Sequence, residues 1–277
     1  MLSPALYDDA ERLRREFASA RPFPHVVLED VLVGDGSELV AAFPERDWDG
    51  WESRNDHHQP EKMSCSDATL LPAPLDSLIA ELSQPRFLRF LEHVTGVSRL
   101  LVDPYLEGGG LHCSGPGGVL VPHTDFHVHP DLRVYRRLNV LLYLNPGWQE
   151  SWGGNLDFFA PGAPYDPVTT VVPKLGTMVI FRTDDRSRHG FPQPVAEGRY
   201  RRSVALYYYT ATEAAQYSGD RDTYWNRLPT KGFLARLRSL PYVAAYHSAR
   251  FMAKAAHVLD PQRPRRSRRR TGMQAKE

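Results

Sequence analysis

The sequence is poor in cysteine: Cys65 and Cys113 are the two thiols among 277 residues. Two thiols build neither a disulfide framework nor a zinc knuckle, and they fit a reducing compartment. Long apolar runs are missing too. No stretch approaches the roughly 18 apolar residues that a membrane span needs, so no membrane partner is expected. The N-terminal MLSPALYDDAERLRREF is charged and lacks the apolar segment of a secretory leader. These absences point to a cytoplasmic protein. Net charge is nearly absent as well, at +1, and names no partner. It conceals an asymmetry, because Arg263, Arg265, Arg266, Arg268, Arg269 and Arg270 crowd the last fifteen residues. A run of this kind is read as a solvated tail, and nucleic acid is not an expected partner.

What is present suits a globular enzyme-sized core. Hydrophobic residues make up 42% and charged residues 24% of the chain, so a sizeable interior can be filled. Three zones are visible, with no internal repeat. Residues 1–98 carry a helix over Ala5–Ala18, a strand in FPHVVLEDVL, and helices over Ser37–Phe43, Leu75–Leu82 and Pro85–Thr95. In the last two, Leu78, Ile79 and Leu82, then Phe87, Leu88 and Leu91, recur at helical spacing, and Gly96 stops the chain. The polar stretch DWDGWESRNDHHQPEKMSCSD between them reads as loop. Residues 99–212 change character. RLLVD, GGVLVPH, LNVLLYLN, GNLDFFA, TTVVPK, GTMVIFR and RSVALYYYT are short β-rich runs separated by Gly and Pro, which predicts an antiparallel barrel or sandwich. Residues 213–262 return to a helical pattern, and 263–277 form the basic, disordered tail.

The chemistry concentrates in His123-Thr124-Asp125 and a distant His189. On an extended chain residues i and i+2 point to the same side. An HxD at a strand end therefore aims an imidazole and a carboxylate at one point. A second histidine from another strand completes a three-ligand face. Two histidines and one carboxylate leave open positions, the arrangement of non-haem Fe(II) oxygenases. An isolated HxD is usually structural. Here a strand runs into it, another strand precedes His189, and a basic strand follows.

That following strand, RYRRSVALYYYT, offers a cation for an anionic co-substrate. Arginine suits a carboxylate because its planar fork donates two hydrogen bonds. Alternation places Arg201, Ser203, Ala205 and Tyr207 on one face and Arg202, Val204, Leu206 and Tyr208 on the other. Val204 and Leu206 read as the helix-packed face, so Arg201 and Ser203 are expected to point inward. His112 and Ser114, in a strand before the HxD, and Asn139, Tyr143 and Asn145, alternating along RRLNVLLYLN, either line the same cavity or serve core packing. Trp148 and Trp152 flank a loop near the expected barrel mouth and either contact substrate or cover apolar surface, with cover the favoured reading. Cys113 is read as a small buried residue.

Taken in order, these residues resemble the 2-oxoglutarate/Fe(II)-dependent dioxygenase superfamily, and more closely its prolyl 4-hydroxylase-like bacterial branch. The matching stretches are TGVSRLLVDPYLEGGGLH, GGVLVPHTDF, RRLNVLLYLNPGW, WGGNLDFF, GTMVIFRTD, HGFPQPV and RYRRSVALYYYT, spanning about residues 95–210. The resemblance implies a mainly β fold with flanking helices around a double-stranded β-helix, the jelly-roll or cupin-like core. It implies Fe(II) held by His123, Asp125 and His189, with 2-oxoglutarate anchored by Arg201 and Ser203; His112 and Tyr143 are cofactor-binding candidates from their strand positions. O2 is the second co-substrate, and ascorbate is an admissible auxiliary reductant. The products would be succinate, CO2 and a small molecule or peptidyl substrate hydroxylated at an unactivated C–H. Related halogenases lack the carboxylate ligand, so Asp125 argues for hydroxylation or desaturation. One departure stands out: relatives often carry Asn two residues after the ligand aspartate, where this chain has His127. His127 and His129 are read as surface loop histidines rather than ligands.

Two other readings stay open at the level of sequence. One is a cupin-like metalloprotein that works without 2-oxoglutarate. The other is a non-catalytic binding protein with a decayed site. Neither substrate identity nor oligomeric state is specified by the loops.

Overall fold

The structure, a computed structural model, describes residues 1–53, 56–161, 166–212, 223–225, 248, 251–252 and 255. The chain divides into a unit over Met1–Pro229 and another over Thr230–Glu277. In the second, Ser248, Phe251, Met252 and Ala255 are helical, with Phe251 and Met252 exposed. The helical pattern read over 213–262 otherwise lies outside the described residues, as does the whole basic tail.

In the first unit the elements follow in the order α1 (Ala10–Ser19), β1 (His25–Leu28), α2 (Ser37–Ala42), β2 (Glu52–Ser53), β3 (Lys62–Cys65), α3 (Ala73–Leu82), α4 (Pro85–Thr95) and β4 (Leu101–Val102). There follow β5 (Gly110–Ser114), β6 (Leu120–Thr124), β7 (Tyr135–Tyr143), β8 (Leu156–Phe158), β9 (Thr169–Val171), β10 (Met178–Arg182), β11 (His189–Phe191), β12 (Arg201–Thr210) and β13 (Tyr224–Trp225). Among these residues the strands form two antiparallel sheets. The larger has the order β1-β10-β7-β12-β5-β3-β2, with β4 also on β12, and the smaller has the order β13-β6-β11-β8-β9. This is the mainly β architecture with flanking helices that the sequence implies, and the interleaved strand order is that of a double-stranded β-helix.

Side-chain alternation explains how the larger sheet serves two interiors. Leu138, Val140 and Leu142 of β7 and Val204 and Leu206 of β12 are buried with Leu75, Leu78, Phe87, Leu91 and Val94 of α3 and α4. Each such side chain withdrawn from water contributes roughly 1.5–3 kcal/mol, which fixes the helices to this face. The alternate residues Leu141, Tyr143 and Ala205 join Phe158, Val179 and Phe181 in a separate inner cluster. α4 begins with Pro85, whose missing N–H costs nothing in a first turn. It ends at Gly96, whose φ of 70° closes the helix in the left-handed region.

Two local readings are corrected, and one strand is added. The stretch expected as loop between 47 and 67 contains β2 and β3, and β3 pairs with β5 through Lys62↔Ser114 and Ser64↔His112. KMSC has no alternation and no β-branched residue, so its strand character comes from the open edge of β5 rather than from local propensity. His189–Gly190–Phe191 is too short and glycine-interrupted to signal a strand, yet it lies between β6 and β8. Tyr224–Trp225, in a zone read as helical, is extended and pairs with β6.

Candidate active site

β6 carries His123 to its end, and Asp125 follows directly. β11 opens with His189, which is the cross-strand partner of His123. Antiparallel pairing therefore sets two imidazoles side by side, with ring centroids 4.4 Å apart. The HxD spacing adds the carboxylate: Asp125 Oδ1 lies 3.6 Å from His123 Nε2, and Oδ2 lies 3.9 Å from His189 Nε2. One donor atom from each of the three buried residues falls within 4.8 Å of the others.

The protonation pattern suits a cation. His123 Nδ1 is 2.9 Å from the Val121 carbonyl, and His189 Nδ1 is 2.9 Å from the Ser187 carbonyl. A carbonyl only accepts, so in the neutral rings each Nδ1 bears the proton and each Nε2 presents a lone pair to the centre. Burial and the neighbouring His123 push the His189 ring down to about 4, against the opposing pull of Asp125. Burial on its own would raise the Asp125 carboxyl. The Arg136 guanidinium, with both histidines, instead holds it well below the usual carboxylate range. Two imidazoles with Nε2 turned to the centre and an ionised carboxylate form the donor set that a divalent metal requires. The three residues fit a ferrous ion on these grounds.

Beside this cluster lies a cavity of about 250 Å³, walled by His112, Ser114, His123, Asp125, Arg136, Asn139, Leu141, His189, Phe191, Arg201, Ser203, Tyr207 and Trp225, among others. Arg201 faces into it and is 6% exposed. Its Nε donates to the Gly154 carbonyl at 2.6 Å and its Nη2 to the Tyr143 hydroxyl at 3.0 Å. Phe191 packs on the guanidinium at 4.4 Å. Among the described residues no carboxylate pairs with Arg201. A buried cation is costly without an anion, so this wall of the cavity is suited to receive one. Ser203 Oγ, also buried there, has no hydrogen-bond partner among the described residues. Arg202 turns the other way, toward Phe43 and, at 3.5 Å, Glu45.

The remaining candidates divide. His112 lines the cavity opposite Ser203 across β5 and β12, with Nε2 3.2 Å from the Gly108 carbonyl. Burial, then Lys62 and Arg201, push its ring well below the ordinary histidine value. Asn145 turns to the backbone, donating to the Pro173 and Arg202 carbonyls. Trp148 is buried against Phe191 and Val195, away from the cavity. Trp152 stacks under Arg199. Cys113 is buried, which pushes its thiol up to about 11. His127 and His129 are not surface residues as read from the sequence. Both are buried, His127 with Nδ1 3.6 Å from Asp185 and His129 with Nε2 3.2 Å from Asp103. Folding the 126–134 loop back on its neighbours removes them from solvent and from the metal cluster.

Several cavity residues escape sequence reasoning. Strict alternation along β7 puts Arg136 with Leu138 on the helix-packed face. The register shifts here: Leu138 pairs with Tyr208 and Arg136 with Tyr209, so Arg137 is the extra residue. Such a bulge re-aims the side chains beyond it, and Arg136 turns inward. Trp225 approaches His123 at 4.7 Å and stacks on His58 at 4.7 Å. It comes from a segment with no strand signal.

Residues 109–209 match the family model of the 2OG-Fe(II) oxygenase superfamily. Over 84 residues the chain is 32% identical to prolyl 3-hydroxylase OGFOD1 of Xenopus laevis, covering 29% of this chain and 16% of that protein. The chain thus spans about a sixth of that relative's length. A prolyl-4-hydroxylase of Pseudomonas putida superposes with a TM-score of 0.52 at 20% identity, over 73% of this chain and 100% of that one. A Trichoplax adhaerens prolyl hydroxylase, solved with a hypoxia inducible factor peptide, gives 0.53 at 15% identity, over 75% and 93%. At these identities the two structures share the fold.

Proposed function

With residues 109–209 forming a core that resembles the 2OG-Fe(II) oxygenases, we propose that the protein is a 2-oxoglutarate- and Fe(II)-dependent dioxygenase that hydroxylates an unactivated C–H bond of a small molecule or peptidyl substrate. The observation that carries this reading is the pairing of two features in one cavity. His123, Asp125 and His189 converge, and Arg201, with no carboxylate partner among the described residues, faces the same space. A cupin-like metalloprotein without oxoglutarate has no use for a buried arginine lacking an anion.

In this reading His123 Nε2, His189 Nε2 and Asp125 hold the iron. Bound there with 2-oxoglutarate and O2, iron supplies an oxidant able to attack an unactivated C–H bond, with succinate and CO2 as co-products. The chain's residues do the rest. The Val121 and Ser187 carbonyls keep both Nε2 atoms unprotonated. Arg201 receives the far carboxylate of oxoglutarate, with Tyr143 and Ser203 offering hydroxyls beside it. Leu141, Leu156 and Phe191 line the cavity with apolar surface and limit water around the reacting groups.

The test is succinate release from 2-oxoglutarate with added Fe(II), measured with and without a panel of metabolites and proline peptides. Wild type is expected to turn over, and Asp125→Ala to lose turnover. Undiminished succinate release by that variant would remove Asp125 from the metal site.

A further inference from the structure

Asp125 is placed to offer both of its oxygens to a metal, since each lies within 4 Å of one imidazole Nε2. The two oxygens are not equivalent. Arg136 Nη1 reaches Oδ2 at 3.3 Å, and Asn139 Nδ2 donates to the same oxygen at 3.2 Å. Apart from His123 Nε2 at 3.6 Å, which bears no proton in the tautomer fixed by Val121, Oδ1 has no such neighbour among the described residues. Arg136 is itself held in place. It is 1% exposed, and its guanidinium lies between the rings of Phe126 at 3.7 Å and Tyr207 at 3.6 Å. Tyr207 is anchored in turn by its hydroxyl, which donates to the Gly108 carbonyl at 2.8 Å. A planar cation between two rings presents its edge in one direction only, and here that edge meets Oδ2.

We propose that Arg136, assisted by Asn139, is a positioning residue that reserves Oδ2 of Asp125 and leaves Oδ1 as its single metal-binding oxygen. The inference rests on the iron assignment above and deepens it. A carboxylate that ligates through both oxygens occupies two coordination positions. With two imidazoles that would leave too few for a bidentate keto acid and O2. Reserving one oxygen therefore keeps the co-substrate positions open. Because β7 bulges at Arg137, this residue reaches the site only through an irregularity of the fold.

The consequence is distinctive. Losing Arg136 removes a positive charge from beside the metal and frees Oδ2. Metal affinity should hold or rise, while oxoglutarate affinity falls. Both constants can be measured by calorimetry without turnover, using Mn(II) and then 2-oxoglutarate on the Mn(II)-loaded protein. For Arg136→Met, Mn(II) affinity is expected to stay level or increase, and oxoglutarate affinity to drop by roughly tenfold or more. Asn139→Leu changes no charge and separates geometry from electrostatics. It should shift oxoglutarate affinity in the same direction by a smaller factor. Arg136→Lys, which keeps the charge but not the fork, should recover only part of the loss. A parallel fall of both affinities in Arg136→Met and Asn139→Leu would assign these residues a merely structural role and overturn the proposal. Unchanged oxoglutarate affinity in both variants would overturn it equally. Absence of Mn(II) binding by wild type would instead refute the metal assignment on which it rests.

Discussion

Arg201 carries its charge into the interior with a carbonyl, a phenol and two aromatic rings around it, and no carboxylate among the described residues. Truncating one member of a buried charge pair costs roughly 2–5 kcal/mol. Arg201→Ala is therefore expected to raise the oxoglutarate concentration needed for half-maximal turnover by at least tenfold. Arg202→Ala, on the other face, should leave it within about twofold, because exposed ion pairs contribute little. The reverse pattern in a steady-state titration would show that the inward phase of β12 is misassigned. At this scale the sequence was legible wherever a strand kept its period. Alternation separated Arg201 from Arg202, and HxD spacing brought His123 and Asp125 together. It failed where the period breaks. Arg136 is hidden by the bulge at Arg137, and His127 and His129 are buried by loop folding that no periodicity reports.

β6 and β11 form the element pair on which the metal cluster depends. Their backbones approach closely at Gly190. A Cβ built there would meet the Leu120 carbonyl oxygen at 2.6 Å and Pro122 backbone atoms at 2.9 Å. Those contacts are backbone, so no side chain can yield, and overpacking of this kind costs typically 1–3 kcal/mol. Gly190→Ala should push β11 from β6 and part His189 from His123. The expected result is weaker Mn(II) binding, by about tenfold or more, in a protein that still folds by circular dichroism. Unaltered Mn(II) affinity would mean that the cluster tolerates a displaced β11. Strands buried on both faces, such as β7, β10 and β12, announce themselves through apolar and β-branched runs. β3, β11 and β13 are short and held by their neighbours, so tertiary pairing rather than composition decides them.

For the molecule as a whole, the two sheets face one another and enclose a cavity joined by contributions from far apart in the chain: Lys62 and Ser64 on β3, His112 on β5, the HxD after β6, His189 on β11 and Arg201 on β12. Ligands that bind only this assembled state stabilise it by mass action. Mn(II) with 2-oxoglutarate at about 100 times its dissociation constant should add roughly 2.7 kcal/mol and raise Tm by several degrees in a thermal melt. His189→Ala should show no such rise, and a rise of equal size in that variant would place the stabilising site elsewhere. The mainly β class and its flanking helices were legible because seven β-rich runs are punctuated by Gly and Pro. The pocket's shape was not, since it depends on which loops fold back over the sheet.

The central claim is that His123, Asp125 and His189 together hold a ferrous ion on which 2-oxoglutarate is bound beside Arg201. Anaerobic addition of 2-oxoglutarate to the Fe(II)-loaded protein, followed by visible absorption, tests it most directly. A weak charge-transfer band that saturates with oxoglutarate in wild type, and is lost in His189→Ala and Asp125→Ala, is the predicted result. No band in wild type, or a band that persists unchanged in both variants, would contradict the account.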